Sequence, residues 1–218
     1  MEEVELTRGN AAQAVGKLPT RVDELGVDLL SVAGHKLYAP KGVGALFVRR
    51  GVRLTPVLLG AGHEPGLRPG TEIVASIVGL GAACDLAAAD LDREAERLGA
   101  ARDALWDALR SAVPGIILTG HPTERLPNTL NVSFPGVLGS AVLAAAPELA
   151  ASTGSACHEG GETPSAALTA MGRDAATALG AVRLSLGRST TREHVDRAAG
   201  VLARAWRSVR PEQTRHRR

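Results

Sequence analysis

Five positions in this sequence carry side chains able to do covalent or anion-binding chemistry. Lys36 follows His35 directly, after the apolar run "VDLLSVAG" and before "LYAPKG". In an α/β fold ligands collect where strands end, and a lysine there that is desolvated or set beside other cations becomes a nucleophile. Its natural use is a Schiff base with an aldehyde cofactor, pyridoxal phosphate; the bland use is a solvated lysine flanking a turn. Cys157 lies in "STGSACHEGG" among residues too small to bury it, beside His158, so it reads as an available thiolate or as an incidental loop cysteine. Arg183 interrupts "AVRLSLG". A charge inside an apolar strand is costly unless paired, so its fork either grips a substrate carboxylate or sits in an internal salt bridge or at a wet edge. Arg68 in "GLRPGT" has the same two uses. Thr71 closes a glycine-rich loop before a helix and offers a hydroxyl and backbone N–H groups to a phosphate, or serves as an N-cap. Cys84 falls on an apolar stripe and reads as packing. The six histidines are scattered and no Cys-x-x-Cys occurs, so a metal is set aside. Phosphate-loop, dinucleotide-loop and nucleophile-elbow patterns are also absent.

The elements that must position these residues follow from periodicity. "RVDELG" predicts a helical turn, "VDLLSVA" a strand, "GVGALFVRR" (42–50) a second strand and "LTPVLLG" (54–60) a third. The polar start "MEEVELTRGN" predicts no element of its own. Apolar residues at three- and four-residue steps from Ile73 to Leu109 predict one long helix, or two joined near Gly99. "GIILTG" and "LPNTLNVSF" read as strands, "SAVLAAAPELAA" as a helix with a proline break, "PSAALTAMG" as a helix stopped by Gly172, and "AVRLSLG" as a strand. The terminal helix "TTREHVDRAAGVLARAW" carries Thr190 and Glu193 at capping-box spacing. The order is α/β first and α+β afterwards.

Composition bounds the rest. With 44% apolar residues but only 2% aromatics, the core must be built from Ala, Val, Leu and Ile. A net charge of +2 argues against nucleic-acid binding, and the basic end "RPEQTRHRR" reads as a solvated tail. Two cysteines make no disulfide framework. No secretory signal is visible and no uncharged run is long enough for a bilayer. A cytoplasmic, reducing setting without membrane contact is the expectation. The sequon at Asn131 is expected to carry no sugar.

Taken in order, "NAAQAVGK", "VDLLSVAGHKLYAPKGVGAL", "GAGHEPGLRPGTE", "LPNTLNVSF", "STGSAC" and "RLSLGRSTT" resemble the cysteine desulfurases, in the class V aminotransferase branch of fold-type-I pyridoxal phosphate enzymes. The resemblance runs from about Asn10 to the terminal helix. It implies the C-terminal part of a large α/β cofactor domain (1–91), a complete α+β small domain carrying the cysteine loop (92–209), and a basic tail (210–218). It also implies roles. Lys36 would hold pyridoxal 5'-phosphate, Gln13 would bond its phenolic oxygen, and His35 its phosphate. Thr71 would reach the phosphate in the partner subunit of a homodimer. Arg183 would bind the carboxylate of L-cysteine. Cys157 would take the sulfur as a persulfide, leave L-alanine, and pass sulfur to an acceptor or iron–sulfur scaffold protein. Catalysis on these terms needs Lys36, Cys157 and Arg183 at one pocket. A selenocysteine lyase, another class V enzyme, and a binding remnant are the rival implications.

Three departures from the pattern qualify it. The family's glycine- and threonine-rich phosphate loop and the histidine that stacks on the cofactor ring find no counterpart, so a truncated or split chain of low activity is expected. Asn10 stands where the family has the aspartate that pairs with the pyridine nitrogen, and an amide cannot supply that negative charge. Ala33 and Pro69 stand where many members have serine.

Overall fold

The computed structural model describes residues 6–153 and 163–210, which fall into two units, Met1–Arg93 and Glu94–Arg218. In the first, β1 (Arg8–Asn10) runs parallel to β2 (Leu29–Ala33), and β3 (Gly44–Val48) pairs antiparallel with the other edge of β2. Parallel neighbours need a crossover. Here it coils through residues 11–18, where Val15 N–H donates to Ala11 and Leu18 N–H to Ala14, and then through α1 (Val22–Leu25). Gly26, at φ 62°, ends α1. Helix α2 (Val74–Ala89) completes the unit. Leu80 and Ala83 of α2 pack with Leu37 and Ala39, against Val15, Val32 and Val43.

Four expectations are corrected in this unit. The polar start does form a strand: β1 is only three residues long, and its pairing with β2 decides the matter, not its propensity. The stretch 54–60 is no strand; Val57 is 94% and Leu59 86% exposed, and Pro56 removes a ladder donor. The long helical stretch breaks at Asp90, between α2 and α3 (Leu91–Ala112), while Gly99 stays inside α3. Cys84 is exposed, so it is not a packing residue. The cause is that α2 is apolar on all sides. Its core stripe runs through Leu80 and Ala83, and the flank bearing Val74, Ile77, Val78 and Leu86 stays in water. Helices of that kind normally belong to the interior of a larger assembly.

In the second unit, β4 (Ile117–Leu118), β5 (Thr129–Ser133) and β6 (Ala181–Ser185) form an antiparallel sheet in that order. The register sets Leu130 opposite Leu184, Asn131 opposite Arg183, and Val132 opposite Val182. Alternation then sends Leu130, Val132, Val182 and Leu184 into the core. There they join Leu98, Leu105 and Leu109 of α3, Val142 of α4 (Gly139–Ala144), and Val195, Leu202 and Trp206 of α7 (Arg192–Val209). Asn131 and Arg183 share the opposite face. The short helices α5 (Ala166–Ala170) and α6 (Ala175–Leu179) precede β6. The capping box of α7 is shifted by one residue from its expected place: Thr191 is the N-cap and His194 its N3 partner. Thr190 instead accepts the Gly187 N–H at 2.9 Å.

Candidate active site

The first cluster lies where two parallel strands end. Asn10 is the last residue of β1 and pairs in register with Ser31 of β2. One turn beyond Asn10 stands Gln13. β2 runs directly into a tight 3-10 turn, Gly34–Leu37, that carries His35 and Lys36. Glycine is required at its first position, because a Cβ at Gly34 would lie 2.6 Å from the Val43 carbonyl oxygen. Leu37 is buried beneath the turn, and Tyr38 leaves it at φ 66°. The chain therefore brings Asn10, Gln13, His35 and Lys36 to the carboxyl edge of one parallel pair, the position where α/β sheets bind ligands. All four are exposed. Among the described residues nothing buries the Lys36 side chain. The Asn10 amide oxygen is already used, accepting the Ala12 N–H at 3.1 Å.

The half-buried amine at this edge is Lys17, which the sequence reading passed over. Its ammonium donates to the Lys36 carbonyl at 3.3 Å. Burial first, then the like charge of Lys36, hold it below the ordinary lysine range. The signal was a lysine directly after a glycine in "AVGK", at the end of the segment that carries Gln13.

Thr71 is exposed on the loop before α2, and Ile73 is the N-cap of that helix, so Thr71 is not a cap. Arg68 lines an apolar cavity of about 860 Å³ together with Val32, Leu46, Val57, Ile77 and Leu80. Asn10, Gln13, His35 and Lys36 do not border that cavity.

In the second unit, Arg183 sits mid-strand in β6, as expected. Its backbone pairs on one side with Asn131 of β5 and on the other with Ser152, donating N–H to Ser152 at 2.6 Å and accepting from it at 3.3 Å. Ser152 is two residues short of segment 154–162. Cys157 and His158 fall in that segment, outside the described residues. The strand bearing the guanidinium is thus hydrogen-bonded to Ser152, the next-to-last described residue before that segment. Asn131 also takes a hydrogen bond from Thr119 Oγ1, so the sequon side chain is engaged inside the sheet.

Behind β6, Arg97 of α3 fixes the chain that leaves the strand. It donates to the carbonyls of Thr190 (2.8 Å), Gly187 (3.1 Å) and Arg188 (3.3 Å), and holds Glu94 through both carboxylate oxygens. Lys36 belongs to the first unit and Arg183 to the second. Each is placed within its own unit.

The donor set fits pyridoxal phosphate in part. The free amine on a turn at a strand end, with the Gln13 amide and the His35 ring at the same edge, suits an aldehyde-bearing anion. Asn10, at the same edge, is a neutral amide and supplies no negative charge there.

Comparison with known proteins gives the following. The sequence pattern of the class-V aminotransferases matches residues 9–198. A cysteine desulfurase of Gluconacetobacter diazotrophicus is 46% identical over 195 residues, covering 88% of this chain and 49% of that protein. The cysteine desulfurase NifS of Azotobacter vinelandii is 45% identical over 190 residues, covering 86% of this chain and 47% of the relative. Among solved structures, a NifS-like protein superposes with a TM-score of 0.83 at 33% identity, over 94% of this chain and 53% of its own. The chain spans about half the length of the curated relatives it matches.

Proposed function

Because the chain belongs to the class-V aminotransferase family, we propose that it is the part of a cysteine desulfurase that carries the cofactor-bearing lysine, the carboxylate-binding arginine and the sulfur-accepting cysteine. The observation that carries this is the joint edge of β1 and β2, which assembles Asn10, Gln13, His35 and Lys36 at one strand end, in the order of the family's lysine region. When bound there, pyridoxal 5'-phosphate supplies an electron sink for a carbanion at the substrate α-carbon.

The chain's own residues would do the rest. Lys36 would hold the cofactor through its amine, and that amine would serve as general base and acid for the substrate α-proton. Gln13 would donate to the phenolic oxygen and His35 would hold the phosphate. Arg183 binds the substrate carboxylate in a bidentate fork. The Cys157 thiolate attacks the sulfur of L-cysteine; the carbon–sulfur bond breaks, the sulfur stays on Cys157 as a persulfide, and L-alanine leaves. The backbone hydrogen bonds between Ser152 and Arg183 tie the strand of the proposed carboxylate grip to the chain two residues before segment 154–162. Thr71 would reach a phosphate in the second subunit of a homodimer. An acceptor or iron–sulfur scaffold protein would receive the persulfide sulfur.

Asn10 favours a second reading, in which the chain is weakly active or binds an acceptor without turnover, because a neutral amide leaves the electron sink weakened. One experiment separates the two. The purified chain is loaded with pyridoxal phosphate and given L-cysteine; alanine, sulfide and a persulfide at Cys157 are measured, with Lys36→Ala and Cys157→Ala beside it. Slow alanine formation that both substitutions abolish supports the desulfurase. Absence of cofactor at Lys36 and of persulfide at Cys157 overturns it in favour of the binding remnant.

A further inference from the structure

Among the described residues, Lys17 is the amine at this strand edge that the proposed chemistry leaves unused. It stems from the segment after β1, which also bears Asn10 and Gln13. Its ammonium grips the carbonyl of Lys36, on the turn that follows β2. It therefore links the two arms that make the site. The backbone keeps this link short. Gly16 stands at φ 74°, and a Cβ there would lie 2.7 Å from Leu37 Cδ2, so the segment rides directly over the Gly34–Leu37 turn. The Lys17 N–H donates to the Ala14 carbonyl at 2.9 Å, closing the segment's own helical turn. Lys17 is half-buried, unlike Gln13, His35 and Lys36. Among the described residues it forms no ion pair, and its depressed basicity marks the cost of holding it there. Partial burial of an ammonium without a carboxylate is costly, and its hydrogen bond to the Lys36 carbonyl offsets part of that cost.

We propose that Lys17 is a positioning residue for Lys36: by holding the Lys36 carbonyl it fixes the lysine turn against the arm that carries Asn10 and Gln13, and so presents the Lys36 amine at the strand edge. The proposal rests on Lys36 being the cofactor-bearing amine.

The test uses the 218-residue chain with Lys17→Met and Lys17→Arg. Two readouts need no turnover. The first is amide exchange at Tyr38 and Ala39, whose N–H groups both donate to the Gly34 carbonyl and report the turn. The second is trapping of pyridoxal phosphate with borohydride, mapped by peptide mass spectrometry as the ratio of label at Lys36 to label at Lys41, an exposed lysine five residues further on. Loss of one hydrogen bond of ordinary net strength predicts, in Lys17→Met, roughly fivefold faster exchange at the two amides and a comparable fall in the labelling ratio. Lys17→Arg, which keeps a cationic donor, restores both at least halfway. Unchanged exchange and ratio in Lys17→Met, or no recovery in Lys17→Arg, overturns the proposal. A wild-type chain that labels Lys36 no more than Lys41 overturns the assignment of Lys36 itself, and the proposal with it; that failure is visible before any substitution is made. If Lys17→Met loses its fold by circular dichroism, Lys17→Gln carries the same comparison.

Discussion

Replacing Arg97 with methionine should loosen the second unit measurably, and the structure sets the size. The guanidinium makes three hydrogen bonds to the carbonyls of Gly187, Arg188 and Thr190 and a two-oxygen contact with Glu94. Hydrogen bonds to charged groups contribute about 1.5–3 kcal/mol each when isolated. The Arg97 side chain is 36% exposed, however, and the freed carbonyls can turn to water, so the ion pair itself deserves little weight. A total of about 2–3 kcal/mol is the reasonable estimate. With a urea slope of about 1.5 kcal/mol per molar, the unfolding midpoint should fall by about 1.3–2 M. The assay is well isolated, because both tryptophans of the chain, Trp106 and Trp206, lie in the second unit. Trp206 donates to the Pro135 carbonyl at 3.1 Å, so its fluorescence reports native packing there. Arg97→Lys keeps one donor but loses the fork, and should fall about midway. A midpoint within the scatter of wild type for Arg97→Met, or a lysine variant indistinguishable from arginine, would refute the idea that this clamp fixes the chain leaving β6.

Other outcomes follow from local geometry. A Cβ at Gly180 would sit 2.5 Å from the Phe134 carbonyl oxygen, so Gly180→Ala should cost about 1–3 kcal/mol in the same urea assay. Gly99 has open space around its α-carbon inside α3, and Gly99→Ala should instead stabilise by about 0.5–1 kcal/mol. Asp174 caps α6, and the hydrogen bonds from Thr177 hold its carboxyl below 3.8. Its contribution is therefore present above that value and lost as pH falls through the lower folded one, so wild type and Asp174→Ala should converge in acid. Lys17 has the opposite chemistry: with its basicity held below 10.5, the native state binds fewer protons than the unfolded chain in the window beneath that value. Stability linked to Lys17 thus rises with pH there, and the melting temperature of wild type should gain on Lys17→Met as pH rises toward 10.5.

Much of this was legible in the sequence, for reasons that differ by element. β2 and β6 announced themselves as apolar runs, and the lysine and arginine they carry stand at the strand end and mid-strand that their neighbours implied. β1 was hidden because three polar residues have no periodicity of their own; the backbone of β2 makes them a strand. α6 was hidden for a similar reason, since five residues with an aspartate cap barely exceed one turn. Cys84 was misplaced because the stripe argument assumes one wet face, and α2 is apolar all round. Lys17 escaped notice because its value lies in a contact with a carbonyl nineteen residues away, which no local pattern encodes. The resemblance to the cysteine desulfurases supplied roles for Gln13, His35, Thr71 and Cys157 that their spacing alone leaves open.

The bare flank of α2 has a practical consequence. Colloidal behaviour of this chain should follow Val74, Ile77, Val78 and Leu86 and not its small net charge. Sulfate or phosphate buffers, which are excluded from protein surfaces and strengthen apolar contact, should therefore drive the purified chain to self-associate, while mild detergent at low salt keeps it dispersed.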